Sequence, residues 1–143
     1  ADDPLTGLPG RAVFMDHLQA ALLGRSGGSR NAVTTVMFLD LDDFKDVNDG
    51  HGHHVGDQVL IETGRRLAGV VRPSDLVSRL GGDEFVVVCG GLSTQPAAAR
   101  MAGRLLDAVS VPIAVGDGEV VITSSIGIAM ARPGTSNADA VLR

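Results

Sequence analysis

The chain has 143 residues, 44% hydrophobic and 20% charged, with a formal net charge of −5 at pH 7; this is ordinary globular material, long enough for one domain with a real core. The acidic balance leaves no broad basic field for nucleic acid, and the lack of Trp and Tyr removes the usual stacking platforms for single strands. No apolar run approaches membrane-spanning length, no signal-peptide pattern opens the chain, and the lone Cys89 cannot form an internal disulfide, so the expectation is a cytoplasmic domain, whether or not its parent protein is held at a membrane.

The opening "DDPLTGLPGR" (2–11) is rich in Pro and Gly and reads as an irregular lead-in. Phe14, Leu18, Ala21 and Leu22 then recur at helical spacing, which predicts a helix over 11–23. "GRSGGSR" (24–30) reads as a flexible loop. The β-branched apolar run 33–41 predicts a central strand. A short helix is expected over 44–48, then a glycine-rich turn at "DGHGHH". A longer helix is expected over 55–71, with Val55, Val59, Thr63, Leu67 and Val70 on one stripe.

"RPSD" (72–75) reads as a turn. Segments 76–80 and 84–89 read as the two strands of a hairpin with Gly81 and Gly82 at its tip. Cys89 lies in the second of them and reads as a plain core thiol. Ser93 or Thr94 is placed to cap a third helix, with Pro96 near its first turn and Ala98, Met101, Ala102, Leu105 and Val109 on its core face. Segments 113–115 and 119–129 read as a last hairpin around "GDG". There is no internal repeat and no linker, and the order of elements predicts one α+β domain with a sheet layered by helices.

Two features do not fit a plain core. Asp40 closes an apolar strand and shares a face with Phe38 and Val36, so its carboxylate stands at the rim of a sheet. Asp83 and Glu84 follow the hairpin glycines. Burying an unpaired carboxylate is expensive, so these acids are either turn residues in water or partners of a cation. If the two strands are neighbours, two or three carboxylates converge. An all-oxygen site favours Mg²⁺ or Ca²⁺, and Mg²⁺ takes one or two carboxylates and completes its shell with water and phosphate. Gly81 and Gly82 would let a phosphate or base approach the backbone.

Other templates fail. Neither EF-hand register fits: starting at Asp42 puts Phe44 at a ligand position, and starting at Asp46 puts His51 where glycine is required. No Walker loop is present, and "GHGHHVG" has the wrong glycine spacing for a dinucleotide fingerprint. His51, His53 and His54 lie too close in sequence to enclose a tetrahedral zinc. Lys45 is the only lysine, and beside an acidic strand end it suits a phosphate as a compact charge.

Taken together, "DPLTGLPGR", "FLDLDDFKDVNDGHGHHVGD", "RLGGDEF" and "SSIGIA" resemble the GGDEF-domain diguanylate cyclases, in the right order and over almost the whole chain. These enzymes condense two GTP into cyclic di-GMP with release of pyrophosphate. The resemblance implies a fold like the nucleotidyl-cyclase and polymerase palm domains, with a central β-sheet flanked by helices. It implies that Asp40, Asp83 and the Leu41 carbonyl hold Mg²⁺, with Mn²⁺ as a substitute. Asp83 or Glu84 would help deprotonate the ribose 3′-hydroxyl, and the sequence leaves metal ligand and base interchangeable between them. Phe44 and Lys45 match the phosphate-contacting segment, with Lys45 neutralising charge on the leaving phosphates. Asn48 and Asp57 match the guanine readers, Asp57 in the first turn of its helix where negative charge is favoured. His53 lies where the family often touches the nucleotide, and Gly81 and Gly82 would let it pack on the hairpin. The chemistry implied is two-metal phosphoryl transfer, dominated by positioning and charge stabilisation.

Arg72 and Asp75 fall at the spacing of the family's product-inhibition R-x-x-D, where a guanidinium could fork onto cyclic di-GMP; the plain alternative is a turn with a capping Asp. The chain departs from the family pattern at Gly10, usually Asn. It also ends at "NADAVLR", where members usually continue into a helix with basic phosphate contacts. Residues 1–143 are therefore expected to be a single GGDEF domain cut from a multidomain protein, joined there to regulatory or phosphodiesterase domains. Each domain would hold one GTP, so catalysis needs a homodimer, and weak activity rising steeply with protein concentration is expected. The alternative is a GTP- or cyclic di-GMP-binding regulatory module. A third reading is an Mg²⁺-dependent cyclase for another nucleotide, against which Asn48 and Asp57 argue.

Overall fold

The computed structural model describes residues 2–24 and 33–133. Its elements in chain order are α1 (Arg11–Leu22), β1 (Thr34–Leu41), α2 (Phe44–His51), α3 (His53–Val70), β2 (Leu76–Gly81), β3 (Glu84–Gly90), α4 (Gln95–Ser110), β4 (Ile113–Val115), β5 (Gly118–Val120) and β6 (Ser124–Ala131). An antiparallel sheet has the order β2-β3-β1-β6, and β4 and β5 form a separate ribbon. The α+β architecture is the expected one. Residues 25–30 of the expected loop and the terminal "NADAVLR" lie outside the described residues.

The alternation of β1 divides the core between the two faces of the sheet. Met37, Leu39 and Leu41 join Phe85, Val87 and Cys89 of β3 under α3 and α4. Val36 and Phe38 join Val86 and Val88 under Phe14, Leu18 and Leu22 of α1. Each large side chain taken wholly from water contributes about 1.5–3 kcal/mol. Cys89 is fully buried, and burial first, then the charge of Asp75, pushes its thiol up to about 12, so it is an inert core thiol.

Local chemistry sets the helix ends. Gly24, at φ 73, donates its N–H to the Ala21 carbonyl and stops α1. Gly10 holds the N-cap position of α1 with no side chain to cap it, a substitution that costs a few tenths of a kcal/mol relative to Asn. Thr94, not Ser93, caps α4: its hydroxyl accepts from the Ala97 N–H at 3.2 Å. All five expected core residues of α4 are buried. No helix among the described residues is long and apolar enough to cross a membrane.

Two expectations need correction. The "DGHGHH" segment is helical except at Gly52: α2 runs on to His51, α3 begins at His53, and Gly52 at φ 90 makes the corner between them. The segment 119–129 is not one strand. It divides into β5 and β6, which belong to different sheets. Alternating burial continues through Val121, Ile122 and Thr123, so the pattern shows no break. Where β6 begins, the Asp42 N–H donates to the Thr123 carbonyl at 2.8 Å, next to the Leu41–Ser124 pair that closes the β1–β6 register.

Candidate active site

Antiparallel pairing sets Asp40 opposite Glu84 on β3 and opposite Ser125 on β6. Cross-strand partners project to the same face, so Asp40 and Glu84 share the rim. The Leu41 N–H donates to the Asp83 carbonyl at 3.3 Å, which brings the hairpin tip against the end of β1. Asp40's carboxyl is pushed above its ordinary value by burial first, then by the charges on Asp83 and Asp42. Crowded carboxylates of this kind are stabilised by a cation. Among the described residues no three acidic, histidine or cysteine side chains close on a common point. The rim therefore offers a pair of carboxylates plus main-chain oxygen, a set that fits Mg²⁺ better than a fully caged metal.

The hairpin tip is built for a tight turn. β2 and β3 are joined through Gly82 and Asp83, with Gly81 at φ 138 and Gly82 at φ 51, which glycine adopts without strain. A register shift between the Arg79–Phe85 and Gly81–Glu84 pairs adds local twist. Arg79 holds the tip from behind: Nε and Nη2 donate to the Gly82 carbonyl at 3.0 and 2.7 Å. Its Nη1 donates to both carboxylate oxygens of Asp3, at 2.9 and 3.1 Å. Asp3 also accepts from the Thr6 N–H and hydroxyl at 2.8 and 2.7 Å. Burial raises Asp3's pKa, but the bonds from Thr6 and Arg79 outweigh it and hold the carboxyl below its ordinary value. The Pro/Gly-rich lead-in is thus a brace for the tip.

Lys45 is exposed in the first turn of α2, directly after the turn that leaves β1, while Phe44 packs against the core. Asn48 lies one turn further on. A Cβ at Gly56 would collide with Asn48 Oδ1, so this glycine, which precedes Asp57 in sequence, lets the amide lie against α3. Asp57 and His53 are exposed. Because α3 begins at His53 rather than Val55, Asp57 lies beyond its first turn, and the expected dipole benefit is reduced.

Arg72 and Asp75 stand at the other end of β3, roughly 20 Å from the tip at the usual rise per residue. The Arg72 N–H donates to Asp75 Oδ2 at 2.9 Å, and Nη2 donates to Asp75 Oδ1 at 3.3 Å and to the Gly90 carbonyl. Asp75 is buried and Arg72 half-exposed. Sequence reasoning assigned no role to Asp3, Arg79 or Asp42. Asp42's carboxyl accepts from the Ser125 and Thr123 hydroxyls, which hold it below its ordinary value. The only sequence signal for these residues was their place inside the quoted motifs.

The family described as "Diguanylate cyclase, GGDEF domain" matches residues 1–143. The chain is 43% identical over 129 residues to the diguanylate cyclase TpbB of Pseudomonas aeruginosa, covering 90% of this chain and 29% of that protein. It is 36% identical over 141 residues to the cyclic di-GMP phosphodiesterase PdeR of Escherichia coli, covering 99% of this chain and 21% of that protein. The chain thus spans less than a third of either relative. A solved structure comprising only the GGDEF domain of TpbB superposes with a TM-score of 0.89 at 38% identity, covering 99% of this chain and 82% of that one. With the family match over the whole length and the close superposition on a solved GGDEF domain, the chain belongs to the GGDEF diguanylate cyclase domain family.

Proposed function

We propose that this chain condenses two GTP into cyclic di-GMP and two pyrophosphates. The observation that supports the reading is the rim where β1 meets the β2–β3 hairpin, with Asp40 paired opposite Glu84 and feeling the charge of Asp83, and Lys45 on the turn leaving β1. Asp40, Asp83 and the Leu41 carbonyl would hold Mg²⁺, with Mn²⁺ as a substitute. Bound there, the ion would polarise the attacked phosphate and ease ionisation of the 3′-hydroxyl.

The chain's own groups do the rest. Asp83 or Glu84 takes the proton from the 3′-hydroxyl of one GTP as its oxygen bonds to the α-phosphorus of the other. The α-phosphorus bond to the oxygen bridging the β-phosphate breaks, and pyrophosphate leaves. Lys45 offsets the charge that grows on it, helped by N–H groups of the first turn of α2. The second bond forms in the same way and closes the ring. Asn48 and Asp57 read guanine, Asp57 accepting from the N1–H and N2–H₂ edge. His53, the backbone at Phe44 and the flat surface at Gly81 and Gly82 complete the nucleotide site. Arg72 and Asp75 form a product-binding site away from it. The domain is a module of a larger cytoplasmic signalling protein and acts as a homodimer.

The deciding experiment incubates the chain with GTP and Mg²⁺ and identifies products by mass. Cyclic di-GMP is expected, and Asp83→Ala is expected to lose it by at least about a hundredfold while remaining folded. Linear or cyclic products from ATP at equal rate would sink the guanine assignment. A second reading has one observation behind it: the relative PdeR is named as a phosphodiesterase although it contains a matching segment. On that reading the domain binds GTP and regulates a neighbour, and GTP binding without product would support it.

A further inference from the structure

Asp42 stands just past the end of β1, between the residues assigned to the metal and those assigned to the triphosphate. Both of its carboxylate oxygens are taken by hydroxyls of the chain entering β6. Thr123 Oγ1 donates to Oδ2 at 2.8 Å, and Ser125 Oγ donates to Oδ1 at 2.7 Å. The backbone closes the same contact, because the Asp42 N–H donates to the Thr123 carbonyl at 2.8 Å. These bonds tie the β1–α2 turn to a segment 81 residues further along the chain.

The tied turn is an unusual one. Asp43 has φ 56 and ψ 32, and among the described residues it is the only non-glycine with positive φ. Side-chain-bearing residues rarely hold this left-handed conformation unless their surroundings enforce it. Leu41 lies just before the tie and Lys45 just after it. A carboxylate can accept from both hydroxyls at once, whereas an amide offers one acceptor oxygen and alanine none.

We propose that Asp42 is a positioning residue for the nucleotide site: by clamping Thr123 and Ser125 it fixes the β1–α2 turn so that the Leu41 carbonyl and Lys45 meet the same triphosphate. This rests on the diguanylate cyclase reading of the site. The test works from the β6 side, where the charges at the rim stay unchanged. In the Thr123→Val/Ser125→Ala double variant, amide hydrogen exchange over 42–45 should quicken about tenfold. The kcat for cyclic di-GMP should fall about tenfold or more while KM for GTP stays within about threefold. Asp42→Ala should reproduce both effects, and adding it to the double variant should change little further. Thr123→Ser with Ser125 intact keeps both hydroxyls and should behave like the unmodified chain.

Unchanged exchange overturns the clamp. Faster exchange with unchanged kcat reduces it to a structural tie and overturns the positioning role. A loss in Asp42→Ala that the double variant does not share means that the carboxylate acts directly on metal or nucleotide, and also overturns it. If the unmodified chain makes no cyclic di-GMP, the activity reading fails by itself. The clamp is then judged by exchange over 42–45, which should still quicken about tenfold in the double variant and would stay level if the hydroxyls did not hold the turn.

Discussion

Asp40 has water on one side, the apolar end of β1 behind it and the charges of Asp83 and Asp42 close by. Burial first, then those charges, raises its pKa above the ordinary value, so the folded state binds this proton more tightly than the unfolded chain does. The sign of the pH dependence follows. The stability this group contributes is fully present below the unfolded value and is lost as pH rises through the raised folded value. At neutral pH and without metal, ionised Asp40 therefore opposes folding. Asp40→Asn removes that charge at nearly constant shape. We expect the variant to be slightly more stable than the parent at pH 7, by a small margin because solvent screens an exposed carboxylate. The gain should vanish near pH 3, where both chains are neutral at this position. Urea titrations at the two pH values measure it, and the opposite sign at pH 7 would show that Asp40 has a stabilising partner. The same variant should lose turnover. Instability and function would then share one carboxylate, as is common where charges are gathered for catalysis.

The hairpin tip and the lead-in behave as one element because Arg79 bonds to both. Its guanidinium is largely buried and makes charge-assisted bonds to Asp3 and carbonyl bonds to Gly82. Arg79→Met keeps the length of the side chain and removes every donor, leaving Asp3 without its cation. A loss of about 1–3 kcal/mol is expected, with Asp3→Asn in the same background adding little because both changes break one network. Full additivity in that double-mutant cycle would show that the two residues act independently. At this scale the sequence was readable wherever periodicity or turn chemistry governs. The α1 and α4 stripes, the central strand and the Gly81–Gly82 hairpin follow from local pattern, whereas the pairing of β1 with β3 entered the sequence reading only as a condition. The readings failed where a distant contact decides. Alternation is unbroken from Val120 to Ile126, yet the chain changes sheets there, and Asp42 just past β1 binds Thr123 and Ser125 where β6 begins. Glycines at 50 and 52 suggested one loose turn, yet only Gly52 leaves helical geometry. Asp3 and Arg79 were invisible because nothing local shows that two residues 76 positions apart form a pair.

At the scale of the whole molecule, the proposed product would set the assembly. Cyclic di-GMP contains two equivalent 3′–5′ bonds related by a two-fold axis, so its formation requires two α-phosphates to be attacked in the same way. The described residues supply one rim where carboxylates from β1 and the hairpin tip converge, and it faces solvent at one end of the sheet. Two copies related by a two-fold axis would present two such rims to a pair of GTP, which is the isologous arrangement most homodimers adopt. Association of two domains by their nucleotide faces is expected to be weak, because binding must first offset lost translational and rotational freedom. Turnover per domain should therefore rise in proportion to protein concentration while monomers dominate, and level off once dimers form. Adding Asp83→Ala protein in excess should depress the output of the unmodified chain, since each mixed pair has a single intact rim. A turnover per domain that holds constant on dilution and ignores the added variant would mean that one domain completes both bonds, and the face-to-face arrangement would have to be abandoned.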